Sequence, residues 1–201
     1  MSKQQRPIYG VGINDAGYPV SIQPTINGRR STLWMCPFYD AWKHMLARCY
    51  SDKRHVKFPT YAGCAVAAEW HYFSTFRAWM LAQDWEGKHL DKDILRPANK
   101  VYGPDACVFV PGQLNSFLNA HGAARGEYPI GVTWNRQAGK LIARCCNPFT
   151  RKLEHLGYFT DPAEAHEAWR ARKHQHAIRY ADMQTDPRLA AALRTRFAAV
   201  G

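Results

Sequence analysis

The sequence predicts an α+β protein, with N-terminal helices followed by a three-stranded antiparallel sheet that packs on one helix. In residues 130–180, three short segments of strand character precede one amphipathic helical segment. In residues 1–120, apolar residues recur at helical spacing. The whole chain is 46% apolar and 13% aromatic, which is sufficient for folded cores. We therefore expect a domain over 1–120, a linker at 121–129 and a second domain over 130–201.

The N-terminal part is predicted to begin with a β-hairpin and to continue with two helices. Residues 8–13 and 18–22 alternate in polarity around the turn residues 14–17. The two helical stripes contain Phe38, Trp42, Met45, Leu46 and Cys49, and then Trp70, Phe73, Phe76, Arg77, Trp79 and Met80. Aromatic stripes at this spacing are more typical of a core than of a ligand platform.

Basic residues follow along and just beyond the first helical stripe. They have two open interpretations, a patch that contacts phosphates or a solvated face. The residues are Lys43, Arg48, Lys53, Arg54, His55 and Lys57.

The six cysteines show no Cys-x-x-Cys spacing. A structural zinc site would need four of them, and the candidates are Cys36, Cys49, Cys64 and Cys107. Their irregular spacing favours reduced, buried thiols instead.

The C-terminal part is predicted element by element from changes in residue period. Polar turns at 135–139 and 147–152 separate the three strands, and Gly157 lets Phe159 turn towards the helix. Thr160 or Asp161 is expected to cap that helix, with Pro162 in its first turn. That helix is expected to bury a face that carries small alanines, formed by Ala165, Ala168, Trp169 and Arg172. Residues 187–199 predict a further, short basic helix.

This segment resembles the DNA-binding domain of plant ethylene-response factors, a module also found in phage and homing-endonuclease proteins. The matching pieces are Gly131-Val132, Ala143, Leu156-Gly157-x-Phe159-Thr160 and Glu164-Ala165. The resemblance implies that the outer sheet face meets the major groove of DNA. Because the plant domains carry several arginines and tryptophans there, whereas Arg144 is the one permanent cation at the matched positions here, we expect a different base preference.

The resemblance and the basic residues beside those positions together predict a set of DNA-contacting side chains. The matched positions are Thr133, Asn135, Arg144, Cys146, Leu153 and His155, and the flanking cations are Arg136, Lys140, Arg151 and Lys152. Arg144 is expected to contact a base edge, and Arg151 and Lys152 to contact phosphates.

Residues 89–115 have the order of a ββα-metal nuclease hairpin, with a strand that carries acids, a second strand and a helix that carries an Asn. The residues are His89-Leu90-Asp91-Lys92-Asp93-Ile94, then Asn99, then Val110-Pro111-x-x-x-Asn115. This pattern resembles phage HNH homing endonucleases, which are often followed by the ethylene-response-type domain in the same order. The resemblance implies that Asp91 and Asn115 bind Mg²⁺ or Mn²⁺, and that the cation stabilises charge on the scissile phosphate.

Lys92 stands where the family has its general-base His. An ammonium group takes no proton, and the neighbouring Asp91 and Asp93 oppose a lowered pKa. His89 is the alternative base, because His89, Asp91 and Asp93 share one face of a regular strand. Three interpretations stay open, namely an active nuclease, an inactive HNH-like scaffold and an unrelated surface hairpin.

The whole-chain charge agrees with a nucleic-acid partner. The formal charge is +11 and the pI is about 9.6, with the excess spread over both halves of the chain. No membrane span or secretory signal is expected, so we predict a cytoplasmic protein of a bacterial host, of phage or prophage origin. We expect double-stranded DNA as the partner of an HNH-type endonuclease or nickase. The alternative is a non-catalytic DNA-binding regulator or phage anti-host factor, and an RNA- or protein-binding module is a third possibility.

Overall fold

The computed structural model describes residues 6–119 and 127–198, and the chain divides into two compact units. The first unit is Met1–Val110 and the second is Pro111–Gly201. The division thus lies before the predicted boundary at residue 120. The predicted linker at 121–129 falls largely outside the described residues.

The core of the first unit forms around two helices. Helix α1 begins at Pro37, where the proline occupies the first turn, and it buries Trp42, Met45 and Leu46 completely. The predicted second helix is interrupted at Tyr72, whose extended backbone separates a 3₁₀ turn from the helix that begins at Phe73. The helices of this unit are α1 (Pro37–Tyr50), α2 (Asp52–Lys57) and α3 (Phe73–Leu81), with 3₁₀ turns at Pro59–Tyr61 and Ala68–His71.

The predicted N-terminal hairpin between residues 8–13 and 18–22 is wrong. The amide of Ile8 instead donates to the carbonyl of Gly12 and closes a tight turn, in which Tyr9 has a φ of 51°. A Cβ atom at Gly12 would lie 2.4 Å from Leu46, so this segment packs closely on α1, and Ile13 pairs in parallel with Tyr72 instead of with residues 18–22. The hairpin forms later, around Asn27–Gly28, where both residues have positive φ.

The remaining strands of the first unit are short. Strand β1 pairs with β4, β2 with β3, and β6 with β8, whereas β5 and β7 pair in parallel. Their bounds are β1 (Ser21–Ile22), β2 (Thr25–Ile26), β3 (Arg29–Arg30), β4 (Trp34–Met35), β5 (Ala65–Val66), β6 (Lys88–Asp91), β7 (Val101–Tyr102) and β8 (Val108–Pro111).

The second unit contains the predicted three-stranded antiparallel sheet. The central strand β10 pairs with β9 on one side and with β11 on the other. The bounds are α4 (Gly112–Leu118), β9 (Val132–Asn135), β10 (Lys140–Cys146), β11 (Leu153–Phe159), α5 (Pro162–Asp182) and α6 (Pro187–Thr195).

Helix α5 covers one face of this sheet, as predicted. Its N-cap is Asp161, whose carboxylate accepts a hydrogen bond from the amide of Ala163 at 2.8 Å. The fully buried Ala165 lets the helix approach the sheet, and Phe159 turns into the same cluster. Helix α6 buries Leu189 and packs on α5. The α+β class is therefore confirmed.

No helix in the described part of the chain is both long enough and apolar enough to cross a lipid bilayer.

Candidate nucleic-acid interface and the strand–helix segment

The face of the three-stranded sheet opposite α5, here called the outer sheet face, follows directly from the strand registers. Residues opposite each other in antiparallel strands share a face, and faces alternate along each strand. Lys140 lies opposite Asn135, Ile142 opposite Thr133, and Arg144 opposite His155. The complete set is Thr133, Asn135, Lys140, Ile142, Arg144, Cys146, Leu153, His155 and Tyr158.

Arg144 is exposed on the outer sheet face, where the sequence predicted it. Its neighbours Ala143 and Cys145 are buried at 0% and 1% exposure on the helix side, which fixes the orientation of the strand. The amide of Arg144 donates to the carbonyl of Gly131 at 2.9 Å. The backbone under this side chain is therefore anchored from both sides.

The other positions matched to the ethylene-response-type domain share this face, but their side chains differ in which polar atoms are free to contact a ligand. Thr133, Cys146, Leu153 and His155 are exposed. The Oδ1 atom of Asn135 accepts hydrogen bonds from the amides of Gln137 and Ala138, at 3.0 and 3.1 Å. Asn135 thus builds the turn between β9 and β10, and its amide nitrogen is the atom left for a ligand.

Tyr158 is an outer-face residue that sequence reasoning missed. Its ring is half exposed, lies opposite Ile142 and contacts the ring of His155 at 4.9 Å between centroids. Strict alternation from His155 would place Tyr158 on the helix side. A register shift between Ala143 and Arg144, opposite Gly157 with its φ of 140°, reverses the alternation. That glycine was the sequence signal for the reversal.

The predicted flanking cations lie at the two ends of the sheet. Arg136 is exposed in the turn that precedes β10, next to Lys140 at the start of that strand. Arg151 and Lys152 are exposed in the turn before β11, and Arg151 has a φ of 58°. Arg144 therefore lies between two pairs of cations along the direction of the strands.

The carboxylate nearest this sheet points away from the outer face. Glu154 on β11 receives two hydrogen bonds from the guanidinium of Arg172, at 2.7 and 3.0 Å, and one from Asn147 at 2.9 Å. The bonds from Arg172, and then that from Asn147, lower the pKa of Glu154 to about 2. No acidic residue stands at an outer-face position of the three described strands.

His176 of α5 completes this network on the helix side. Its Nε2 atom lies 3.1 Å from the Glu154 carboxylate, and its side chain is buried. Burial lowers the pKa of His176, and the neighbouring carboxylate opposes that shift without reversing it. The Glu154 network therefore ties β11 to α5.

Residues 89–115, the segment predicted to be HNH-like, place Asp91 on a strand and Asn115 in the first turn of a helix, as predicted. Asp91 ends β6 in the first unit, and Asn115 lies on α4 in the second. The Oδ1 atom of Asp91 accepts from the amides of Asp93 and Ile94, both at 2.9 Å, and the Oδ1 atom of Asn115 accepts from Asn119 at 3.1 Å. Each oxygen thus already supports local structure, and sharing of one cation by the two residues stays a prediction.

Lys92 is buried at 7% exposure, and its ammonium group lies 2.9 Å from Asp93. Burial favours a lower pKa, but the hydrogen bond and charge of Asp93 outweigh it, so the pKa of Lys92 is raised. The position that the family gives to a general base therefore holds a protonated amine. Burial and the Asp93 charge likewise raise the pKa of Asp91, against the two amide hydrogen bonds.

His89, Asp91 and Asp93 were predicted to share one face of a strand, but only His89 and Asp91 lie on that strand. Strand β6 ends at Asp91, and Asp93 lies in the bend beyond it. His89 is exposed. Asn99 donates through Nδ2 to the carbonyls of Lys92 and Val101, both at 2.7 Å, and so closes the following loop.

The predicted burial of the thiols is confirmed for Cys36, Cys49, Cys64 and Cys107. Burial raises the pKa of both Cys49 and Cys107 to about 12. Within residues 6–119 and 127–198, no group of three or more His, Cys, Asp or Glu side chains is arranged to hold a metal ion.

Comparison with models of protein families, with curated proteins and with solved structures found no match to this chain.

Proposed function

We propose that the protein binds double-stranded DNA by inserting the outer sheet face into the major groove. The observation that carries this proposal is the position of Arg144, exposed at the centre of a face that has no carboxylate. An arginine is the side chain best suited to guanine, because its guanidinium donates two parallel hydrogen bonds to O6 and N7. The resemblance to ethylene-response-type domains supports the same orientation.

The dimensions of the sheet agree with this arrangement. Strands about 4.8 Å apart make a three-stranded sheet about 10 Å wide between its outer strands. The major groove is about 12 Å wide. Arg136 and Lys140 at one end, and Arg151 and Lys152 at the other, then supply charges for backbone phosphates, which position the protein without reading sequence.

Of the two DNA-directed functions that the sequence left open, the non-catalytic one has the better support. Lys92 is a protonated amine held by Asp93, and Asp91 uses one carboxylate oxygen to fix the loop after β6. We infer that the HNH-like segment serves here as a scaffold, and that the protein acts as a DNA-binding regulator or phage anti-host factor.

Substitution of Arg144 tests the proposal. A preferred duplex is first selected from a randomised pool with the wild-type protein, and affinities are then measured for single-base variants of that duplex. Arg144→Ala should reduce discrimination at one position by about 1–3 kcal/mol, because the bidentate contact is lost. Arg144→Lys retains the charge but not the paired donors, so it should recover affinity without recovering the discrimination.

Arg151→Ala combined with Lys152→Ala is the matched control. These side chains are proposed to contact phosphates, so their loss should weaken all duplexes by a similar factor. A discrimination profile that is unchanged in Arg144→Ala would contradict the proposal.

A further inference from the structure

The C-terminal end of α1 and the helix α2 carry cations that no carboxylate neutralises in the described parts of the chain. Arg48, Arg54 and Lys57 form no ion pair there. Lys100, whose ammonium donates to the carbonyl of Thr60 at 2.9 Å, likewise has no carboxylate partner among the described residues. Positive charge is therefore concentrated on this part of the first unit.

Aromatic rings, instead of carboxylates, contact three of these cations, Arg48, Arg54 and Lys57. Arg54 and Lys57 lie 5.4 and 5.5 Å from the centre of the Phe58 ring. The Phe58 ring meets Tyr61 edge to face at 6.4 Å, and Arg48 lies 6.0 Å from Tyr61. Rings fix a cation through their negative faces without cancelling its charge. We call this group the basic–aromatic cluster: Arg48, Arg54, Lys57, Phe58, Tyr61, Lys100 and Tyr102, whose ring lies 5.2 Å from Arg48.

The guanidinium groups of this cluster are partly withdrawn from water. The Nε atoms of Arg48 and Arg54 are buried, and neither has a hydrogen-bond partner among the described residues. Part of the cost of removing these two guanidinium groups from water has thus been met by folding. An anion that meets them gains more than it would at flexible, fully solvated lysines.

We propose that the basic–aromatic cluster is a second DNA-contacting surface, which binds backbone phosphates without regard to base sequence. The choice of DNA as the anion rests on the proposed function. The choice of phosphate rests on the cluster itself, because its cations have no carboxylate partner among the described residues and its exposed ring, Phe58, is already occupied by Arg54 and Lys57. Such contacts add affinity and salt dependence, and no specificity.

The salt dependence of DNA binding tests this surface in the full-length protein. We expect the wild-type log–log slope against a random-sequence duplex to be steeper than about −4, which corresponds to about five phosphate contacts. Arg54→Gln combined with Lys57→Gln should make the slope shallower by about 2, since each lost contact contributes about 0.9. Fluorescence anisotropy over a range of salt concentrations gives both slopes.

Arg29→Gln combined with Arg30→Gln is the matched control. These exposed arginines on β3 belong to the same unit, and their removal changes the net charge equally. Their loss should leave the slope nearly unchanged. Arg54→Lys combined with Lys57→Arg retains both charges and should retain the slope, which separates a charge effect from a folding effect.

The proposal is overturned if the Arg54→Gln/Lys57→Gln variant has the wild-type slope. It is also overturned if this variant and the Arg29→Gln/Arg30→Gln variant make the slope shallower by the same amount. It is also overturned if the wild-type protein does not bind duplex DNA. The readout is distinct from base discrimination by Arg144. If Arg144→Ala loses base discrimination as expected but the Arg54/Lys57 variant keeps the wild-type salt slope, only the second DNA-contacting surface is ruled out. If the salt slope changes but base discrimination does not, only the major-groove contact is ruled out.

Discussion

Glu154 shows how a single charged residue holds the second unit together. It lies on β11, opposite the buried Cys145. Its carboxylate is hydrogen-bonded to Arg172 and His176 of α5 and to Asn147 of the turn before β11. A carboxylate that accepts several hydrogen bonds on the covered side of a sheet stabilises that side only while it is ionised. The same arrangement keeps this negative charge away from the outer sheet face.

The stability of the protein should therefore depend on the ionisation of Glu154. Its folded-state pKa of about 2 lies below the usual value of 4.5, so its contribution is complete above about pH 4.5 and is lost as the pH falls towards 2. Glu154→Gln should lower the free energy of unfolding at pH 7 by about 1–2 kcal/mol, a figure reduced for partial solvent exposure. Urea titrations at pH 7 and pH 3 measure the difference between wild type and variant.

The difference between the two proteins should shrink at pH 3, because the carboxyl of Glu154 in the unfolded chain, with its usual pKa of 4.5, is then mostly protonated and folding must release that proton. A difference that is as large at pH 3 as at pH 7 would show that shape, and not charge, explains the effect of the substitution. Comparison with the variant at each pH removes the contribution of other groups that titrate in this range.

Sequence patterns predicted Arg144 but not the network of Glu154. Arg144 stands between the apolar residues Ala143 and Cys145 on a strand. Because apolar side chains are buried and successive side chains point to opposite faces, this pattern predicts that Arg144 points to solvent. Glu154 is a charged residue on the covered side of its strand, and alternation alone does not predict a carboxylate at that position. Its partners Arg172 and His176 lie on a different element, so the network depends on how α5 packs on β11.

At the scale of elements, Gly131 controls how closely β9 approaches α5. A Cβ atom there would lie 2.1 Å from Trp169, and the residue has a φ of 85°. Its carbonyl also accepts the amide of Arg144. A side chain at this position would consequently disturb the packing of the helix and the strand that carries Arg144.

Gly131→Ala should destabilise the protein by about 3 kcal/mol, which combines backbone strain with overpacking against Trp169. Gly139→Ala is the matched control, because Gly139 has a φ of 58° but a Cβ atom there would meet nothing within 4 Å. The control should lose only about 1 kcal/mol. Equal losses in chemical denaturation of the two variants would rule out a special role for the contact with Trp169.

The contrast between the three-stranded sheet and the two-stranded sheets of the first unit explains which elements could be predicted. Strands β9, β10 and β11 are long enough to show alternation, and they bury one face, so their sequence contains the signal. The first-unit strands β1 to β4 have two residues each, which is too short for a period to appear. The Asn27–Gly28 dipeptide was nevertheless a local hairpin signal, because Asn-Gly favours the positive φ values that such turns require.

At the scale of the whole molecule, the central question is whether the proposed DNA binding is accompanied by cleavage. We predict that the wild-type protein shifts supercoiled plasmid in a gel but does not nick it with Mg²⁺ or Mn²⁺ above the level seen with EDTA. The physical reason is the state of residues 89–115, where Lys92 keeps its proton and Asp91 supports the loop after β6. Metal-dependent nicking that disappears in Asp91→Asn, with binding retained, would establish the nuclease instead.

The distribution of thiols gives the protein a built-in attachment point. All six cysteines are free, five are buried, and Cys146 is exposed on the outer sheet face, two residues along the strand from Arg144. A maleimide dye added to the native protein would thus be directed to the surface proposed to enter the groove, with no residue introduced or removed. The same chemistry makes that surface sensitive to alkylation and oxidation, so reducing conditions belong in every preparation intended for DNA work.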